Sequence, residues 1–588
     1  MGRFRTTDHS RSLSIQRLPL RLDHLLSSSS AAGHLDRSDD DLHLIDTCLL
    51  CALAIGITSA AAVESHQVTV GSPTGRTFLG TGVSFTNSSP PGYAGLDDDG
   101  RGLATSLLWR DANCRAARLW LNMTSFSPSP GNYDLTDFSE RLVDSGLLPE
   151  AQAAGLDTLL LAPTNIPPYL RTDPDASDYS NQVIKDDEAA RQYGEVLAEA
   201  VIRLYDELGI LCQATGIQNE PNARVDFTPA QLAIAGDALR SALTAAGEPY
   251  ASVAIVGPEC ASVDGTCDDF VQALLATDPL LIDALAAHSY NMALKEFFTE
   301  TWFATGLPYW NTEAGNTVLG EDSRPYDHMA NLHGADLSAR LLNDIRHGCT
   351  WWIWFVGYAQ AANDHRDQQR LIRWQSDHSV ETLPTYHYFA ALSTAFTPGT
   401  EILGVQADPA MPAWTHGRKP KLIAAAGTRP DGSLVIGLCN YTSAIFPDEP
   451  DSGTDFYRAN VGYHARRLDI DLHIPDGLLD DPGTIDIHRL GQDQTTLTEQ
   501  LTVPTAHTSI AYRSTLGLQL EPMELLVLTI ANSQTRDRRV DIQVDDQIEW
   551  QVVTPDAALV HPPADGRQRI EVDRRLDLLL SASEKESI

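Results

Sequence analysis

Lysine is almost absent from this chain. Five occur in 588 residues: Lys185, Lys295, Lys419, Lys421 and Lys585. Lysine and arginine together number 42 against 79 aspartates and glutamates, a formal net charge of −37, and the pI is about 4.7. Nucleic acid and anionic membrane both require a basic face, so neither is expected as a partner. A polyanionic substrate is disfavoured for the same reason. Arginine is plentiful, so the shortage of lysine reads as a nucleotide-composition bias without functional meaning. Metal-binding cysteine patterns are also missing. Of eight cysteines, only Cys48-Leu-Leu-Cys51 has a CxxC spacing, and it lies inside an apolar run. Cys114, Cys212, Cys349 and Cys439 sit in or beside apolar strands and read as buried thiols. Cys260 and Cys267 flank a short polar loop and could pair if the protein is exported. HExxH and GxSxG are absent, which leaves metalloprotease and serine-esterase chemistry little support. Gly80-Thr-Gly82 lacks the third glycine and the following helix of a dinucleotide site. No internal repeat is present.

What is there begins with a leader. Residues 1–44 are polar and read as disordered. The run from Cys48 to Val63 has an apolar core of about a dozen residues, short for a membrane span. It ends in small residues, as an export signal does before cleavage. Residues 1–62 are therefore read as a leader with a secretory signal, and the mature protein as secreted, extracellular or periplasmic. With 43% apolar and 21% charged residues the remainder is ordinary globular protein, too long for one hydrophobic core.

From 63 to 384 strands alternate with helices. Strands are expected at His66–Val70, Arg76–Phe85, Ala116–Asn122, Leu156–Pro163, Ile210–Ile217, Ala251–Gly257, Ile282–Tyr290, Leu307–Glu313 and Cys349–Phe355. Helices are expected near 186–208, 228–246 and 328–346. Eight βα units in about 300 residues have the size of a (β/α)₈ barrel. From 385 to 533 the chain changes to short strands separated by Asp- and Gly-rich turns, clearest at 422–426, 433–438, 468–474 and 524–530. This is read as a β-sandwich side domain. Residues 534–588 form a charged extension of unassigned role, with a hairpin expected at Val540–Val553.

The functional reading starts from Gln218-Asn219-Glu220-Pro221-Asn222, which follows an apolar strand. A second stretch, Leu307-Pro308-Tyr309-Trp310-Asn311-Thr312-Glu313-Ala314-Gly315, has the same grammar: a short strand, a carboxylate, then a small-residue turn. In a parallel barrel, chemistry sits at the C-terminal strand ends. Arg118, Asn122, Pro163 to Asn165, Asn219, Glu220, Glu259, His288, Tyr290, Glu313 and Trp354 fall there. Two carboxylates about 5–5.5 Å apart break a glycosidic bond with retention, one as nucleophile and one as acid/base. A cation such as Arg118 would keep the nucleophile ionised. Against this, Glu259 reads as a structural strand-end acid, and His288 is as much a core hydrogen-bonding residue as a site residue. The tryptophans at 351, 352 and 354 are mostly core, with one free to stack on a sugar ring at the barrel mouth. Asp364–Asp367 reads as a solvated loop.

Asn219-Glu220-Pro221 after strand four and Trp310-Asn-Thr-Glu313 after strand seven resemble the clan A glycoside hydrolases. Ala162–Arg171 is similar to the strand-three segment of glycoside hydrolase family 30, and Tyr386–Gly399 to its passage from barrel to side domain. The resemblance covers roughly 66–533. It implies Glu220 as acid/base, Glu313 as nucleophile, Asn219 as partner of the sugar 2-hydroxyl, and Arg118 and Tyr290 as residues that orient Glu313. Asn165, His288 and Trp354 complete the expected substrate-binding set. Thr164 and Tyr169 stand where the family has tryptophans, which leaves the sugar open. The expected activity is retaining endo- or exo-hydrolysis of a polysaccharide or oligosaccharide, with neither metal nor organic cofactor. The alternatives are a non-catalytic carbohydrate-binding protein on a degenerate barrel, or a transglycosylase.

Overall fold

The computed structural model describes residues 62–85, 93–223, 225–292, 305–315, 330–360, 370–375, 377–415, 419–442, 465–479, 482–491, 503, 505–532 and four short strand pieces beyond 538. The leader expected over 1–62 and the loop Asp364–Asp367 lie outside them, Ala62 excepted.

Chain entry is shared between two sheets. Strand β1 (Ala62–Phe78) belongs to a side sheet, and β2 (Gly80–Phe85) belongs to a barrel. The expected single strand Arg76–Phe85 is thus two. Gly80, the first residue of β2, has φ 139°, and a Cβ there would stand 3.1 Å from the ring of Trp351. Only glycine makes this turn cheaply.

The barrel closes in sequential order: β2, β3 (Ala116–Asn122), β4 (Thr158–Thr164), β5 (Ala214–Gly216), β6 (Ala254–Cys260), β7 (Ala284–Ala287), β8 (Tyr309–Ala314) and β9 (Cys349–Trp354). All neighbours run parallel. The helices after the strands are α1 (Asp98–Thr105), α2 (Leu147–Ala154), α3 (Asp187–Leu208), α4 (Pro229–Ala246), α5 (Gly265–Thr277), α6 (Ala330–Arg346) and α7 (Pro384–Ala395). Local signals explain their limits. Asp186 caps α3 by accepting from the Ala189 N–H, and Gly209 at φ 71° ends it. Thr228 and Gln231 form a capping box ahead of α4, with Pro229 in its first turn. A cap of this kind contributes about 1 kcal/mol.

Leu160, Ala214, Val256, Ala284, Ala286 and Ile353 fill the barrel interior, while the alternate residues such as Leu159, Leu161 and Leu285 join the layer under the helices. The expected strands 210–217 and 282–290 shorten to β5 and β7. Apolar character extends beyond the ladder because flanking residues such as Ile210, Cys212, Ile217 and Ile282 are buried without joining it.

The side domain is one continuous nine-stranded sheet. Its further strands are β10 (Thr400–Asp408), β11 (Leu422–Thr428), β12 (Leu434–Asn440), β13 (Arg466–His473), β14 (Pro482–Leu490), β15 (Thr505–Ala511), β16 (Thr515–Leu520) and β17 (Leu525–Asn532), in the order β15-β14-β17-β12-β11-β10-β1-β13-β16. Both halves of the sheet contribute to one core: Val68 and Val70, Leu422 to Ala426, Leu468, Ile470 and Leu472, Ile485, Leu518 and Leu528. Residues 468–472 alternate buried and half-buried or exposed, as their strict sequence alternation predicts. Residues 384–395 are helical, so the strand-only region begins at Thr400. Most of the hairpin expected at Val540–Val553 lies outside the described residues. Arg539–Val540 pairs with Ile570–Glu571, and Glu549–Gln551 with Ser581–Ser583. Among the described residues no helix is long and apolar enough to cross a membrane.

β1 pairs antiparallel with β10 and parallel with β13. The Tyr441 hydroxyl donates to Asp336 on α6 at 2.9 Å, which ties the sheet to the barrel. A chain ending at Pro384 leaves β1 with neither partner and exposes its apolar face. Such a 63–384 fragment is expected to be insoluble. A soluble fragment with one cooperative melt by circular dichroism would contradict this.

Candidate active site

Strand β3 carries Arg118, Trp120 and Asn122 on one face. Arg118 is fully buried and is the hub of the site. Its Nη1 donates to Glu313 Oε2 at 2.7 Å, and its Nη2 to Asn219 Oδ1 at 2.7 Å. Nη2 also stands 3.4 Å from Glu259 Oε2 and 3.5 Å from His288 Nε2. Burial pulls the guanidinium pKa down, but Glu259 and Glu313 outweigh it and raise it.

Glu313 ends β8. Its Oε1 accepts from the Tyr290 hydroxyl at 3.0 Å. Burial, with Glu313 and Glu220 nearby, holds the Tyr290 phenol far above its usual range, so it remains a donor. Beneath this pair lies Asp344 on α6. It accepts from Ser289 Oγ at 2.7 Å, Asn311 Nδ2 at 2.6 Å and Trp352 Nε1 at 2.8 Å. Three strand ends are fixed by one carboxyl, whose pKa burial raises to about 6. Asn311 Oδ1 in turn accepts from the Glu313 N–H at 3.2 Å.

Glu220 follows β5 in a left-handed turn, φ 47°. A non-glycine residue in that region is uncommon and costs roughly 1–3 kcal/mol, which the surroundings must impose. The Glu220 N–H donates to the Glu259 carbonyl at 3.0 Å, and the Asn219 N–H to the Pro163 carbonyl at 3.0 Å. The Glu220 Oε1 lies 3.1 Å from His288 Nδ1. One oxygen of Glu220, one of Glu313 and one ring nitrogen of His288 all lie within 4.8 Å of one another. Among the described residues this is the one histidine, cysteine or carboxylate trio close enough to share a metal ion. Arg118 already pairs with Glu313, and a dication there would face a fixed guanidinium.

The structure therefore brings together Arg118, Asn219, Glu220, His288, Tyr290 and Glu313. It treats the other two expected residues differently. Asn165, just beyond β4 at φ 62°, accepts from Gln182 Nε2 at 2.9 Å and has no bond to either glutamate among the described contacts. Trp354 is fully buried and stacks on Trp352, ring centroids 5.7 Å apart, in the layer under the helices. A sugar cannot reach it, so its expected stacking role is withdrawn. Odd-numbered β9 residues, Trp351 and Ile353, face the interior; Trp352 and Trp354 face outward.

Three participants were not singled out as site residues. Trp120, half-buried, has Arg118 4.8 Å from its ring centre and meets Phe355 edge-on at 6.0 Å. Tyr179, which opens a short 3-10 turn (Tyr179–Asn181), donates to the Asn219 carbonyl at 2.9 Å and accepts from its Nδ2 at 3.0 Å. Glu259 was read as structural, yet it touches the hub. Trp120 shares β3 phase with Arg118, which alternation could have revealed; Tyr179 has no sequence signal. Cys260 and Cys267, whose pairing the sequence leaves open, are buried free thiols.

Solved structures with the same architecture include the catalytic domain of a family 30 xylanase C from Talaromyces cellulolyticus, 14% identical, covering 79% of this chain and all of that one, TM-score 0.55. A family 30 subfamily 8 xylanase from Clostridium acetobutylicum is 14% identical over 79% of this chain and 99% of its own, TM-score 0.54. An endo-β-1,6-glucanase is 14% identical over 79% and 94%, TM-score 0.52. This is the glycoside hydrolase family 30 fold. No protein-family model and no curated protein matches the sequence. Glu220, beyond β5, and Glu313, near the end of β8, lie on the C-terminal side of the barrel strands.

Replacing Arg118 by Met leaves Glu259 and Glu313 buried without their cation. Breaking a buried ion pair from one side costs about 3–5 kcal/mol. Urea unfolding of Arg118→Met is expected to show a loss of that order, and a loss below about 1 kcal/mol would mean that the pair is dispensable.

Proposed function

We propose that this chain is a secreted retaining β-glycoside hydrolase acting on a polysaccharide or oligosaccharide. The observation that carries the reading is the approach of Glu220 and Glu313 to within 4.8 Å, with different partners on each. That spacing suits direct attack by one carboxylate; an inverting pair stands about 6.5–9.5 Å apart to admit water between nucleophile and sugar. Glu313, held by Arg118 and Tyr290, attacks the anomeric carbon. Glu220 gives its proton to the departing glycosidic oxygen. Glu220 then takes a proton from the water that attacks C1 of the glycosyl-enzyme and frees Glu313. His288 Nδ1, 3.1 Å from Glu220, orients the acid/base through both steps. Asn219, aligned by Arg118 and Tyr179, offers its amide beside Glu220 as a contact for a sugar hydroxyl. Trp120 and Phe355 supply half-buried aromatic faces at the mouth.

The similar solved proteins include xylanases and a β-1,6-glucanase. Xylan, β-1,6-glucan and β-1,6-galactan are accordingly the first substrates to test. Export is supported by the apolar run Cys48–Val63 and its small-residue end. Incubation with a polysaccharide panel and proton NMR of the earliest product tests the reading. The first product should keep the β configuration. An α first product would rule out the retaining mechanism, and no turnover across the panel would rule out the hydrolase.

A further inference from the structure

We propose that Glu259 is a positioning residue that sets how strongly Arg118 holds the nucleophile. The inference rests on the hydrolase reading above and assigns a role that the two-carboxylate mechanism does not contain. Glu259 is the penultimate residue of β6 and is fully buried. Its Oε2 faces Arg118 Nη2 at 3.4 Å, and its Oε1 has no hydrogen-bond partner among the described residues. A half-satisfied buried carboxylate is costly, as is its left-handed backbone at φ 61°. A residue that serves stability alone would not combine both.

The surroundings are built to hold it. Gly216, the last residue of β5, leaves the space the carboxylate occupies; a Cβ there would lie 2.2 Å from Glu259 Oε2. Residue 259 also supplies the carbonyl that accepts the Glu220 N–H. It therefore touches both halves of the site: the backbone of the acid/base and the cation of the nucleophile. Arg118 from β3 and Tyr193 from α3 face it, the Glu220 N–H meets its carbonyl, and His288 and Glu313 are linked to it through Arg118.

Arg118 divides its donors, Nη1 to Glu313 and Nη2 to Asn219 and Glu259. Glu259 anchors the Nη2 edge and takes up part of the positive charge. Without that charge the guanidinium turns wholly to Glu313, which becomes a poorer nucleophile, and Asn219 loses its anchor. Removing one negative charge also favours the ionised form of every nearby acid. Both limbs of the pH profile must then move to lower pH.

The test is Glu259→Gln, with kcat and kcat/KM measured against pH on an aryl β-glycoside that the wild type turns over. Both limbs are expected to move down by about 1 pH unit, the scale of one unit charge at close range, with kcat reduced about tenfold and KM little changed. Glu259→Asp, which keeps the charge, should leave the limbs near their wild-type positions. A folded Glu259→Gln with wild-type limbs overturns the proposal. If Glu259→Gln does not fold, Gly216→Ala decides: it displaces the carboxylate without deleting it and should lower kcat by a similar factor, whereas wild-type kcat overturns the proposal. The titration midpoints of the Glu220 and Glu313 carboxyls, read by NMR with ¹³C-labelled glutamate, give the same comparison without turnover. An inactive wild type therefore rejects the hydrolase reading, while unmoved carboxyl midpoints in Glu259→Gln reject the positioning role.

Discussion

Glu313→Gln is expected to lose turnover on every substrate, by a factor on the order of 10⁶, the scale of deleting a covalent nucleophile. The amide has the shape of the carboxylate but not its charge, so it accepts from Tyr290 and can no longer attack carbon. Leaving-group quality is irrelevant to this loss. A dinitrophenyl glycoside, which needs no proton, should fall as far as a polysaccharide. That equality distinguishes a nucleophile from an acid. The stability cost is smaller than for loss of Arg118, because Arg118 keeps Glu259 as its counter-ion. Steady-state rates on both substrate types, with a thermal melt to confirm folding, decide the matter. If Glu313→Gln keeps more than about one part in 10⁴ of wild-type rate on the aryl glycoside, another group is the nucleophile, since a loss no larger than that is within the range of acid–base assistance.

The sequence carried the barrel and the two glutamates for one physical reason. Strands buried on both faces read as apolar runs, and a carboxylate closing such a run is conspicuous. Glu220 and Glu313 stand out in this way, and so does Arg118, a charge inside the run Ala116–Asn122. The same property concealed the error at Trp354. When a strand is buried on both faces, its apolar pattern does not say which residues point inward, and Trp351-Trp352-Ile353-Trp354 offers no polar residue to set the phase. Gln218–Glu220 and His288 follow β5 and β7 at their C-terminal ends, while the turn at φ 47° that aims Glu220 has no mark in the sequence. Tyr179 and Asp344 act over sequence distances of 40 and 33 residues, and nothing local marks them. The parallel pairing of β1 with β13 spans about four hundred residues and was likewise invisible, because register across such a separation depends on which face each strand buries.

Glu220→Ala is expected to separate the two steps of the reaction. Removing the acid/base takes away proton donation to the leaving oxygen and proton abstraction from water. On a natural polysaccharide the leaving oxygen is a poor leaving group, and the loss should be about 10²–10⁴-fold, the usual worth of general acid–base assistance. On a dinitrophenyl glycoside the first step needs no proton. Glu313 should still attack, and the glycosyl-enzyme should accumulate, seen as a burst of phenol followed by slow turnover. The space left by the side chain, within 4.8 Å of Glu313 and beside His288, admits a small anion. Azide needs no general base, so it should raise the slow rate and yield a β-glycosyl azide. In Glu313→Ala, azide would instead attack from the nucleophile's side of the sugar and give an α-glycosyl azide. The configuration of the azide product, read by proton NMR, thus reports which carboxylate was removed. A Glu220→Ala variant with near-wild-type rates on polysaccharide would remove Glu220 from the chemistry. A variant that azide accelerates to an α product would exchange the roles of the two glutamates.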